Sequence, residues 1–253
     1  TNHECVIATE VHDRRRGTAP ASLLEDSMQA FVRAALAATT ALALCAGAPA
    51  LAQQGNRISI TTGGTGGVYY PLGGGMANIL SKYVPGMQAT AEVTGGSVDN
   101  LKLLSAGKSE VGFSMVEAAR DGYKGQRELK DAAVVARTLM VLYPNRMQIV
   151  TIEGTGIEKM ADLKGKRVST GSGGSATEVM AGRVLEAFGM DPDKDIRKER
   201  LDPGKSADAI KDGKIDAFFW VGGLPTSAVV DLGATPGTKV KLVDHAEAVD
   251  KMN

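Results

Sequence analysis

RISITTGGTGGVYYPLGGGMANIL, residues 57–80, reads as a strand, a glycine-rich turn and a helix in immediate succession. RISITT alternates polar and β-branched residues, the period of a half-buried strand. GGTGG, 63–67, breaks the strand. Over residues 70–83 the apolar side chains of Leu72, Met76, Ile79, Leu80 and Tyr83 then fall near a 3.6-residue period. Pro71 suits a first helical turn and Pro85-Gly86 closes the helix. Further along come a strand at 88–93, a TGGS loop at 94–97, a helix at 98–106 ended by Gly107, a strand at 110–114 and a helix at 116–123. Residues 132–143 are apolar enough for one or two buried strands.

The second half repeats this grammar. A strand at 167–170 runs into GSGGS, 171–175, and then a helix at 176–188 closed by Gly189. Gly66 of the first glycine turn and Gly173 of the second are 107 positions apart. LLSAGKSEVGF, 103–113, and AIKDGKIDAFF, 209–219, are 106 apart. Two signatures at nearly one offset, too long for a solenoid repeat, indicate two related α/β lobes; the competing explanation is coincidence between common α/β turns.

The 253 residues are 43% hydrophobic, enough for a sizeable core, and carry 29 basic and 29 acidic side chains. Met28, Arg33 and the apolar run 34–46 lead to APALA, 48–52, where Ala50 and Ala52 fit signal-peptidase cleavage after Ala52, so the mature chain is expected to begin at Gln53. The run is shorter than the roughly 20 residues that span a bilayer. Residues 1–27 read as sequence upstream of a start at Met28, with Arg14–Arg16 leaving a twin-arginine signal as an alternative. Cleavage would remove both cysteines, Cys5 and Cys45, together with His3 and His12, and Leu44 before Cys45 argues against lipidation. It would also take four bases and five acids, keeping the balance near zero. No clustered basic surface for nucleic acid is foreseen, and a small-molecule partner fits better.

Glycine turns that end strands and open helices leave room for an anion to reach unpaired first-turn N–H groups; the plainer explanation is that glycines merely permit tight turns. Gly171, Gly173 and Ala176 satisfy G-x-G-x-x-G/A with Asp191 about 20 residues on, which keeps dinucleotide binding as an alternative. Asp191 sits, however, in a polar MDPDKD loop, read as a solvated capping turn rather than a calcium site. Ser172 and Ser175 lack the G-x-S-x-G order and a histidine base; the remaining His245 reads as an exposed helical residue. Neither a catalytic group, a metal site nor a cofactor is expected.

GGTGGVYYPLGGGMANIL (63–80), EVTGGSVDNLKLL (92–104), LYPNRMQIV (142–150), DLKGKRVSTGSGGSATEV (162–179) and DGKIDAFFWVGGLPT (212–226) closely resemble the TAXI solute receptors of TRAP transporters. The resemblance covers about 57–245. It implies a two-lobed, periplasmic-binding-protein-like α/β fold with a hinge near residues 142–147 and a ligand cleft between the lobes. It also implies a periplasmic, non-enzymatic receptor that delivers glutamate, glutamine or another carboxylate to a TRAP-type permease. An exported sensor built on the same lobes remains the alternative. On this reading residues 1–52 are leader and signal peptide, 53–143 lobe 1 and 144–245 lobe 2, with 246–253 beginning a return to lobe 1 that is truncated relative to the family. Carried over by position, the ligand-facing residues are Gly66, Gly67, Tyr69, Thr94, Ser97, Ser172, Gly174, Ser175, Ala176, Thr177, Gly222, Gly223 and Pro225. Met115 and Glu117 depart from the family's Gln and Asp, so the ligand is expected to be less polar at that end or to lose a contact there. Tyr143 and Trp220 are read as core aromatics with ligand contact as the alternative.

Overall fold

The computed structural model describes residues 3–10, 56–130 and 134–252. The expected signal segment at Met28, Arg33, Ala50 and Ala52 lies outside them. In the first lobe β2 (Asn56–Thr61), α1 (Tyr69–Tyr83), β3 (Met87–Glu92), α2 (Ser97–Ser105), β4 (Val111–Met115) and α3 (Val116–Tyr123) follow one another, and β2 pairs in parallel with both β3 and β4. Strand β5 (Ala136–Ile152) then runs 17 residues into the second lobe. There β6 (Arg167–Ser169), α4 (Ala176–Ala187), β7 (Arg197–Glu199), α5 (Pro203–Lys211) and β8 (Ala217–Gly222) repeat the order, with β6 parallel to β7 and β8. α6 (Ser227–Ala234), β9 (Val240–Leu242) and α7 (Ala248–Met252) complete the described chain.

The repeat inferred from the two glycine turns is thus a repeat of structure. Strand order is β3-β2-β4 in one lobe and β7-β6-β8 in the other. At the end of the first strand of each lobe a threonine makes the same pair of bonds. Thr62 donates its N–H and hydroxyl to the Glu92 carbonyl, and Thr170 does so to the Glu199 carbonyl. Parallel strands need crossover helices, and those helices cover the sheet faces, so the strands carry largely apolar and largely buried runs such as Val111–Met115 and Ala217–Val221.

β5 joins the lobes. Its second half lies antiparallel to β8, Arg146 opposite Gly222 through Thr151 opposite Ala217, and also pairs with β9. Ile60, Phe113 and Ala77 fill the first core, with the Tyr69 ring 5.3 Å from that of Phe113. Ile149, Val168, Leu185 and Phe219 anchor the second. A third cluster belongs to both lobes: Val98, Leu101 and Met115 pack against Ala176, Met180 and Val221.

The structure departs from the sequence reading in three places. The apolar stretch before residue 143 was expected to be buried, yet Leu139, Met140 and Val141 are each about half exposed. That half of β5 is held through its backbone by pairing with β1 (His3–Glu10), and strand pairing leaves side chains on the sheet faces uncovered unless another layer packs there. His245 precedes α7 instead of lying in a helix, its Nδ1 3.0 Å from the Val243 carbonyl. The backbone of residues 3–10, read as lying upstream of the mature chain, forms β1 (His3–Glu10), antiparallel to β4 on one side and β5 on the other. HECVIATE is rich in the β-branched residues a strand favours, which is why the segment can enter the sheet. No helix among the described residues is long and apolar enough to cross a membrane.

Candidate ligand site

Both lobes direct the carboxyl ends of their parallel strands toward one cleft, the usual place for a ligand in open α/β sheets. The lobes are in contact across it. The carbonyl of Gly174, in the turn before α4, accepts the N–H groups of Val98 and Asp99 at 3.1 Å each and so caps α2 of the other lobe. The Ser227 hydroxyl, one lobe away, donates to the Gly66 carbonyl at 3.2 Å. Gly64 stands against Asp202 and Gly66 against Gly204, close enough that a Cβ on either glycine would meet atoms at 2.7 and 2.8 Å. On the other flank Arg183 of α4 reaches Asp121 of α3 at 3.0 Å, and Arg127 approaches the same carboxylate at 3.4 Å.

A cavity of about 40 Å3 remains between the lobes. Its walls come from both glycine turns, from the loop before α2 and from the end of β8. Of the residues carried over by position, Gly67, Tyr69, Ser97, Ser172, Ser175, Ala176, Thr177 and Gly222 line it. Met115, Tyr143 and Trp220 line it as well. The two aromatics read as core therefore reach the cavity, and the Trp220 ring lies between Gly67 and Gly222, with its Nε1 donating to Thr226 Oγ1 at 2.8 Å.

Two hydroxyls are set for donation. Ser97 Oγ accepts the Met115 N–H at the end of β4, and Thr177 Oγ1 accepts the Val221 N–H at the end of β8. A hydroxyl that accepts in this way keeps its own proton to give. Ser175 instead is the N-cap of α4, taking the Glu178 N–H at 3.0 Å and donating to the Ser172 carbonyl at 2.6 Å. Ala176 and Thr177 are the first two helical residues, whose amides have no intrahelical acceptor.

Five of the carried-over residues lie beside the cavity. Thr94 donates to the Thr62 carbonyl and is 2.6 Å from Asn100 Oδ1, tying its loop to α2. Gly66 and Gly174 form the seam between the lobes. Gly223 packs against Tyr143, its carbonyl accepting the Thr226 hydroxyl, and Pro225 follows a cis peptide bond in the turn beyond. Glu117 borders a second interlobe depression with Asp121, Glu128 and Arg183. Asp191 is taken up by its own turn, its carboxylate accepting the Asp193 N–H and pairing with Lys194, whose hydrogen bond holds its pKa below the usual carboxylate value. No group of three or more histidine, cysteine or acidic side chains suited to a metal was found among the described residues.

Several solved structures are similar. A putative L-cystine ABC transporter protein from Listeria monocytogenes matches with a TM-score of 0.50 at 21% identity, over 74% of this chain and 77% of that one. The alkanesulfonate-binding protein SsuA from Xanthomonas axonopodis pv. citri, bound to MOPS, matches with 0.49 at 19% identity over 76% and 62%. The periplasmic aliphatic sulphonate binding protein SsuA from Escherichia coli matches with 0.45 at 18% identity over 77% and 58%. The chain thus spans about three fifths of the length of these two sulfonate-binding proteins. The fold is the two-lobed α/β arrangement of periplasmic binding proteins. A family model matches residues 60–253, well over half of the sequence, and the chain belongs to the NMT1-like family.

Proposed function

We propose that the chain is an extracytoplasmic solute receptor that closes its two lobes on a small carboxylate-bearing ligand and presents it to a membrane permease. The observation that carries this reading is the cavity between the lobes, where Ser97 of one and Thr177 of the other each keep a hydroxyl proton to donate beside the first turn of α4. An acceptor head group placed there would gain two hydroxyl bonds and the first-turn amides of Ala176 and Thr177. Bonds to a charged acceptor are worth about 1.5–3 kcal/mol each. Because both lobes contribute, binding and closure form one linked equilibrium.

The TAXI-like motifs favour a TRAP-type permease as partner and ligands of the glutamate or glutamine kind or other organic acids. We assign 53–143 to lobe 1 and 144–245 to lobe 2, with 246–253 leading back toward lobe 1 and 1–52 serving export, cleaved after Ala52. The test is isothermal calorimetry of an organic-acid and amino-acid panel against wild type and a Ser97→Ala/Thr177→Val double variant. Saturable binding by wild type that weakens at least tenfold in a variant with unchanged circular dichroism supports the site. Equal affinity in both proteins removes it.

A further inference from the structure

Strands β2, β3 and β4 follow one another closely along the sequence, but β1 reaches the same sheet from the far side of residues 11–55 and runs antiparallel to both of its neighbours. Cys5 through Ala8 face Met115 through Gly112 of β4, and His3 through Glu10 face Asn145 through Ala136 of β5. The ladder to β4 is regular, while that to β5 carries two register shifts. In the strand order β4 and β5 are joined through β1 and not to each other. They therefore bound a slot one strand wide, and α2 and α3 both approach the backbone of the strand inside it. Main-chain groups supply the pairing on both sides, so an entering segment needs extended backbone and β-forming residues more than any one side chain. HECVIATE meets that need with Val6, Ile7 and Thr9. Along the rim, Leu139, Met140 and Val141 of β5 stay about half exposed and offer cross-strand contacts to apolar side chains. The connection through residues 11–55 does little to fix the register, because the cost of closing a loop changes only slowly with its length. The two ladders fix it.

We infer that the space between β4 and β5 is a peptide-docking site that takes an extended, β-branched segment as an antiparallel strand. Residues 3–10 are its occupant in this chain, held by strand pairing and not by their covalent attachment. The inference does not depend on the ligand reading, but it bears on the cavity. Met115 and Tyr143, which line it, stand on the two strands that bound the slot. Met115 is opposite Cys5, and Tyr143 is next to Pro144, the partner of Glu4. The docked strand thus sets the spacing of two walls that lobe 1 contributes.

The test places a site-specific protease sequence after Arg16 in the full chain, cuts the folded protein and passes it through gel filtration at micromolar concentration. The expected result is that the fragment of residues 1–16 stays with the body. A fluorescently labelled peptide of the same sequence should then exchange into its place, followed by anisotropy, while a scrambled peptide of equal composition does not. Proline cannot donate to a ladder, so Ile7→Pro made in the added peptide should weaken its entry at least tenfold. That substitution never touches the body, whose fold is therefore not at stake. Amide exchange at residues 111–115 and 136–145 should slow as the peptide saturates. A fragment that leaves on cutting, or one that stays and never exchanges, overturns the inference. Entry of the scrambled or Ile7→Pro peptide as tightly as the native one overturns it as well.

Discussion

Gly174 shows how one residue can be singled out from sequence for one role and hold another in the fold. Its glycine-rich context before a helix suggests an amide open to an anion. In the structure its carbonyl caps α2 across the cleft, φ is +76°, and an added Cβ would fall on the Asp99 carboxylate. The local pattern was legible, but its partner is 75 positions away in the other lobe and no spacing rule reaches it. Gly174→Leu should therefore leave the circular dichroism unchanged and keep the lobes apart, seen as a larger radius of gyration in small-angle X-ray scattering. An unchanged radius would show that the seam does not depend on this glycine. Ser97 and Thr177 entered by their positions in the TAXI-like motifs. What the sequence could not show is that each is oriented by a strand-end N–H. Thr177→Val, which keeps the shape and removes the donor, should weaken an acidic ligand by about tenfold, or 1.4 kcal/mol; calorimetry showing equal affinity would place the head group elsewhere.

Among elements, the strands and helices of both lobes were readable because alternation and 3.6-residue periodicity persist along them, and because the glycine turns mark each junction. β5 was not. It is neither apolar throughout nor alternating, since one end crosses toward lobe 1 with Leu139 and Val141 exposed while at the other Ile149 and Val150 are buried. Two element-level contacts invite measurement. Arg167 of β6 donates from Nε and Nη2 to the Asp216 carboxylate at 3.1 and 2.6 Å, and its backbone N–H reaches the same group at 2.8 Å. The guanidinium hydrogen bond, aided by that backbone bond, holds Asp216 below the usual carboxylate pKa. A depressed folded pKa stabilises fully above the unfolded value of about 3.9 and is lost as pH falls through the folded one. Asp216→Asn should cost about 1–2 kcal/mol at pH 7. It should also flatten the loss of stability below about pH 4 relative to wild type; parallel urea-derived stability curves across that range would contradict the assignment. The second contact is the Asp121–Arg183 pair between α3 and α4, with side chains 17% and 23% exposed. Asp121→Asn should raise the open population and reduce the effect of salt on closure, which interlobe fluorescence energy transfer measured between 0.05 and 0.5 M salt would show. A transfer efficiency that is the same in both proteins would make the pair incidental.

For the whole molecule, the two-lobe organisation was present in the sequence as the repeat offset, and the sheet order of the two lobes reproduces it. The place of residues 3–10 was not foreseen, because their assignment upstream of the mature chain came from the export signal and not from their own strand-forming composition. Cleavage after Ala52 would withdraw β1 from between β4 and β5, leaving two strand edges that need another partner or solvent. Hydrogen exchange should then be faster along residues 136–145 in a chain starting at Gln53 than in the 253-residue chain. Equal protection would mean that β1 contributes nothing to the sheet.

The central claim is that the two lobes form a clamp whose ligand lies between them, at Ser97 and Thr177 and against Trp220. Its most direct test is native mass spectrometry of the protein isolated from its own cells, wild type beside the Ser97→Ala/Thr177→Val variant. The account predicts one small organic acid bound one-to-one to wild type and depleted at least tenfold in the folded variant. The same acid retained equally by both proteins would contradict it.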